Sequence, residues 1–180
     1  MLTQITVRNF KMFEEVQIEL GETVVFVGPN NSGKTTALQA LWLWYAGLRK
    51  WLEKRQKQKE KPEKRPGVTL NRRELYFLPI PESRLLWKGL HIRSQANNVR
   101  IEIIVKGITG GKTWECGLEF DYANDESFYC RPLRLDDSKH PERMSVPEEV
   151  SQVEVAFLYP MSGLASDELR IDPGAINVKM

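Results

Sequence analysis

The chain has 180 residues, 41% of them hydrophobic and 28% charged, with a formal net charge of +2. That is ordinary for a soluble globular protein and enough for one domain with a real core. No long uncharged apolar stretch is present, so no spanning helix is expected, and Met1-Leu2-Thr3-Gln4-Ile5 lacks the basic-then-apolar order of a secretory signal.

From Leu2 to Phe10, Ile5, Val7 and Phe10 alternate against Thr6, Arg8 and Asn9, which predicts a strand. Val16, Ile18 and Leu20 alternate with Gln17 and Glu19 and predict a second. Gly21-Glu22 then turns into Thr23-Val24-Val25-Phe26-Val27, a β-branched and aromatic run that reads as a third, buried strand.

Directly after it stands Gly28-Pro29-Asn30-Asn31-Ser32-Gly33-Lys34-Thr35, followed by Thr36 and a helical apolar pattern. Strand, glycine-framed loop and helix start are the context of a phosphate-binding (Walker A) loop. Gly28 and Gly33 permit the turn and close approach, backbone N–H groups face the phosphates, Lys34 reaches the terminal phosphates and the Thr35 hydroxyl holds Mg²⁺. Nucleoside triphosphate binding is the expectation; a decayed loop kept only for folding is the alternative.

The helix is marked by Leu38, Leu41, Trp42, Tyr45, Leu48 and Leu52, with Trp44 and Trp51 on other faces. Its first turns read as buried nearly all round. Gly47 weakens it by about 1 kcal/mol relative to Ala. Pro62 and Pro66 end any helical run. Trp42, Trp44 and Trp51 read as packed core rather than a stacked-ligand site.

From Arg49 to Arg65, nine basic residues stand against three acids, and the rest of the chain is net negative. Such a block is either a solvated helix end and linker, 49–66, or a surface for an anionic partner such as DNA. Interleaving with Glu53, Glu60 and Glu63 favours the first.

Residues from Pro66 to about Ser94, with Pro79-Ile80-Pro81, read as an irregular connector. Then the period becomes two. Val99, Ile101, Ile103 and Val105, then Trp114, Cys116, Leu118 and Phe120, then Phe128 and Cys130 predict an antiparallel meander over 99–135, turned at Gly107 to Gly111. Asp136 to Pro147 is a polar loop, Glu148 to Gln152 a short helix, and Val153 to Tyr159 a largely buried strand stopped by Pro160. Cys116 and Cys130 fit free thiols in a reducing cytoplasm, and His91 and His140 stand without ligand-spaced partners, so no zinc site is assigned.

Two strands ahead of the loop strand, and a meander behind the helix, resemble the first lobe of an ABC-type ATPase head. Ile5-Thr6-Val7-Arg8-Asn9-Phe10-Lys11, Val25 through Thr36, and Tyr159-Pro160-Met161-Ser162-Gly163-Leu164-Ala165 resemble segments of the SMC, RecF and OLD-nuclease group of AAA-type ATPases. The resemblance implies an α/β P-loop NTPase fold with an antiparallel β subdomain, ATP with Mg²⁺ rather than GTP, and Lys11 near the phosphates. It also implies a second head as partner, and DNA repair, chromosome maintenance or phage defence as the setting. On this reading 1–180 is one ATPase domain, the N-terminal half of a head.

Hydrolysis in such heads needs an apolar strand ending in Asp-Glu and a Ser-Gly-Gly signature. Leu133-Arg134-Leu135-Asp136-Asp137 is interrupted, Gly117-Leu118-Glu119-Phe120-Asp121 alternates, and Thr109-Gly110-Gly111-Lys112 reads as a hairpin turn. Ser162-Gly163-Leu164 lacks the second glycine, and Gln152 precedes its strand. No catalytic residue is assigned. The chain is expected to bind ATP with negligible turnover, unless completed by the missing half. The alternatives are a nucleic-acid-binding module with a structural nucleotide site, and a P-loop kinase, for which Arg72-Arg73 and Arg93 offer no recognisable lid.

Overall fold

The computed structural model describes residues 1–57, 67–94, 97–136, 138 and 141–156. Its frame is an antiparallel sheet with one long helix against one face. The strands are β1 (Leu2–Phe10), β2 (Phe13–Glu19), β3 (Val68–Asn71), β6 (Ile101–Thr109), β7 (Lys112–Asn124) and β8 (Ser127–Pro132). Their order across the six-stranded sheet is β2-β1-β6-β7-β8-β3. A separate two-stranded ladder joins β4 (Arg93–Ser94) to β5 (Asn97–Asn98). No helix among the described residues is long and apolar enough to cross a membrane.

The sheet follows from its alternation. Ile5 and Val7, Ile101, Ile103 and Val105, Cys116, Leu118 and Phe120, and Phe128 and Cys130 all enter the core. In β1 the alternation would send Asn9 inward. Asn9 instead takes a left-handed conformation, φ 56°, and Phe10 is buried in its place. Asparagine tolerates that region because its short amide bonds locally. Here Nδ2 donates to Arg100 O at 2.9 Å.

Helix α1 (Lys34–Lys57) runs for 24 residues across the apolar face. The sequence pattern placed its apolar stripe at Leu38, Leu41, Trp42, Tyr45, Leu48 and Leu52, of which Leu48 is fully buried and Leu41, Tyr45 and Leu52 are partly buried against the core. The most deeply inward face also takes in Ala37, Ala40, Leu43, Trp44 and Gly47, and Leu38 is left 42% exposed. Nor are the first turns buried all round, since Thr35 is exposed as well. Ala37, Ala40 and Gly47 let the helix axis approach the sheet, and Leu43, Trp44 and Leu48 fill the core beside them. Trp44 donates through Nε1 to Cys116 O at 3.0 Å and stacks on Trp114 with an interplanar angle of 3°. Trp44 is therefore core, while Trp42 and Trp51 are only half buried.

Three further sequence expectations are corrected. Thr23–Val27 forms no strand; Val25 is 77% and Val27 90% exposed. A β-branched run makes a strand only when a ladder partner meets it, and no sheet neighbour lies beside it among the described residues. Residues 153–156 also carry no strand, and Phe157 to Tyr159 lie outside the described residues, as do Tyr159–Ala165 and Ser166. The presumed connector holds β3, which pairs with β8 from Val68↔Cys130 to Asn71↔Ser127.

Val150 joins the core, while residues 133–136 and 141–144 lie over the far face of the meander, with Leu133 and Met144 against Gly117. Glu119 is fully buried there, and Asp121 is nearly so. Arg134 Nε and Arg143 Nη1 donate to Glu119 at 2.9 and 3.0 Å, and Arg131 and Arg100 face Asp121. Both thiols are free and buried on the helix side; burial pushes Cys116 up to about 12 and raises Cys130 as well, so neither is a ready thiolate.

Candidate nucleotide-binding site

Gly28 to Thr35 forms a tight irregular loop that ends in the first turn of α1. Asn31 and Gly33 take left-handed conformations, φ 64° and 94°. Ser32 N donates to Pro29 O at 3.3 Å, and Ala37 N to Gly33 O at 2.9 Å, which joins the loop to the helix ladder. The remaining first-turn N–H groups carry the positive end of the helix dipole. No acidic residue occupies that turn, so nothing there opposes an anion.

Lys34 closes the loop on itself. Its Nζ donates to Gly28 O at 2.7 Å, Pro29 O at 2.6 Å and Ser32 Oγ at 3.3 Å. All three acceptors are neutral, so no carboxylate competes with an anion for this ammonium within the loop. Thr35, the next residue, is exposed at the helix start with a free approach from solvent. At Gly28 a Cβ would lie 2.9 Å from Ser32 Oγ, so a larger residue there would have to displace that hydroxyl.

The tip of the β1–β2 hairpin sits on this loop. A Cβ on Gly33 would meet Phe13 Cε1 at 2.7 Å and Met12 Sδ at 3.2 Å. Lys11 is also left-handed, φ 50°, and its N–H donates to Leu86 O at 2.8 Å. Its Nζ reaches Gln39 Oε1 on α1 at 2.7 Å. Burial lowers the ammonium below its ordinary value of 10.5. Asn9-Phe10-Lys11 thus forms a bend held by contacts: Asn9 turns the strand, Phe10 anchors it in the core, and Lys11 crosses to the helix that starts at the loop. The sequence reading named Lys11 but missed Met12, Phe13 and Gln39. Gln39 carried a signal, as the lone polar residue in Ala37-Leu38-Gln39-Ala40-Leu41.

Other sequence candidates lie elsewhere. Glu119 and Asp121 share the parity of the strand face opposite Leu118 and Phe120, so they point away from α1. Thr109-Gly110-Gly111-Lys112 is the β6–β7 turn, with both glycines left-handed. Gln152 ends a 3₁₀ turn beside it. Arg72 and Arg73 are held by Glu126. Of the basic block, Lys50 pairs with Glu74, Lys54 donates to Gly67 O at 2.6 Å, and Arg55 stacks on Trp51 at 4.9 Å. Lys59, Lys61, Lys64 and Arg65 lie outside the described residues.

Comparison with known proteins falls on the same elements. The AAA ATPase domain family matches residues 1–72, which carry β1, β2, the loop, α1 and β3. An OLD nuclease of Thermus scotoductus (strain ATCC 700910 / SA-01) is 44% identical over 41 residues, 23% of this chain and 8% of the nuclease. The chain thus aligns with less than a tenth of that relative's length. With the Asn9–Lys11 bend, the loop and its helix all inside the matched span, these likenesses support an SMC/RecF/OLD-like AAA ATPase N-terminal region over residues 1–72.

Proposed function

We propose that the chain binds Mg²⁺–ATP on the 28–35 loop as the first lobe of a cytoplasmic ATPase head. The observation that carries this is the Lys34 ammonium, held over the loop by Gly28 O and Pro29 O at the start of a helix with no acid in its first turn. Exchange of these neutral acceptors for phosphate oxygens gives charge-assisted bonds. In this reading Gly28, Pro29, Asn30, Asn31, Ser32 and Gly33 wrap the phosphates with their backbone. Lys34 binds the terminal phosphates, Thr35 and Thr36 present the first helical turn to them, and the Thr35 hydroxyl takes Mg²⁺. The ion supplies charge neutralisation between the phosphates when bound.

Binding, not turnover, is what the described residues support. The two buried carboxylates, Glu119 and Asp121, are held by arginines on the far face of the sheet. A water-activating carboxylate would come from further elements of a complete head, and a second head would close over the nucleotide. Action on DNA, in repair, maintenance or phage defence, belongs to this proposal through the likeness to the OLD nuclease. Isothermal titration of Mg²⁺–ATP into wild type and Lys34→Ala tests the core of it. Loss of at least about tenfold in affinity is expected for removing one charged hydrogen-bonding group; equal, tight binding by both proteins defeats the reading.

A further inference from the structure

The charge on Lys11 has an uncommon partner. A mostly buried ammonium is ordinarily matched by a carboxylate. Here Nζ donates to the neutral amide oxygen of Gln39 at 2.7 Å, with the Phe10 ring 5.9 Å away. No carboxylate pairs with it among the described residues, and burial alone moves its proton affinity, downward. Meanwhile the backbone is pinned by Leu86 O, and the neighbouring Met12 and Phe13 press on Gly33 of the loop.

We infer that Gln39 is a positioning residue for nucleotide: it holds the Lys11 ammonium beside α1 with its charge uncancelled and yields it to an anionic phosphate on the 28–35 loop. The inference rests on the phosphate-loop reading above. Its logic is an exchange of acceptors. Leaving a neutral amide for a phosphate oxygen trades a weaker hydrogen bond for a charge-assisted one. Leaving a carboxylate would trade one ion pair for another, and would strand a negative charge near the incoming phosphate. A neutral holder makes the transfer favourable.

The test is a double-mutant cycle on the 180-residue chain, reading Mg²⁺–ATP affinity for wild type, Gln39→Glu, Lys11→Gln and the double variant. Gln39→Glu is expected to weaken binding about tenfold, the scale of one charge-assisted bond, while its melting temperature holds or rises because Lys11 gains an ion pair. Most of that loss is expected to vanish in the Lys11→Gln background. Gln39→Met, which keeps the shape and drops the acceptor, serves if Gln39→Glu does not fold; it too is expected to weaken binding only when Lys11 is present. Loop-dependent binding that Gln39→Glu leaves unchanged, or weakens equally without Lys11, overturns this inference alone. Equal binding by wild type and Lys34→Ala, or none by wild type, overturns the loop reading and this inference together.

Discussion

Gly47 of α1 rests directly on Cys130 of β8: a Cβ on that glycine would lie 2.7 Å from Cys130 Sγ and 3.1 Å from the Phe120 ring. Helix propensity alone says that Gly47→Ala stabilises, by about 1 kcal/mol. Contact says the opposite, because the methyl enters a packed core and overpacking costs about 1–3 kcal/mol. We expect Gly47→Ala to lower the chemical denaturation midpoint. A raised midpoint would mean that the helix can lift off the sheet at no cost.

The buried carboxylate of Glu119 sets an acid limit. Burial pushes its pKa up, but hydrogen bonds from Arg134 and Arg143 outweigh this and hold it below the ordinary 4.5. A folded pKa below the unfolded value gives stability that is present above about pH 4.5 and lost as pH falls through the folded pKa. Wild type should therefore melt progressively lower as pH drops beneath that point. Glu119→Gln leaves three arginines facing a neutral side chain; breaking a buried pair costs about 3–5 kcal/mol. We expect it to be less stable at pH 7 and flatter in acid. Parallel melting curves from pH 7 to 3 for both proteins would refute the linkage.

Asn9 has two duties, a left-handed turn and a bond to Arg100 O, and two variants separate them. Asn9→Gly keeps the conformation and loses the bond. Asn9→Val keeps neither, and left-handed geometry costs a β-branched residue about 1–2 kcal/mol or more. The valine variant should unfold at clearly lower denaturant than the glycine variant. The reverse order would show that the bend is not needed.

Thr35→Ala tests the metal half of the site. The wild-type affinity for ATP should fall when Mg²⁺ is chelated, whereas Thr35→Ala should show the weaker affinity with or without the ion. A threonine variant that still responds fully to Mg²⁺ would move the metal ligand elsewhere.

What the sequence made legible was whatever its own period dictated. Ile101, Ile103 and Val105 face one way because a strand alternates, and the structure buries all three. The loop could be proposed from sequence because Gly28, Gly33, Lys34 and Thr35 follow a chemical spacing and not a packing period. The α1 face was misread because large apolar residues dominate a hydrophobicity pattern, whereas Ala37, Ala40 and Gly47 mark where the sheet comes close. β3 escaped because four residues with one interior pair, Val68 and Leu70, are too short for a periodic signal. Gln39 could not be assigned without Lys11 beside it, since that contact spans two elements far apart in sequence.

The two margins of the 23–27 neighbourhood are guarded unequally. β2, an outer strand, carries exposed Glu14, Glu15 and Glu19, the first two paired with Lys88 and Arg8, and charged side chains along an edge deter another chain from stitching onto it. The valines at 25 and 27 carry no such deterrent and stand open to water. A concentrated preparation of this chain would accordingly be sticky in a localised way, with self-association that salt strengthens and that a lysine at position 25 relieves.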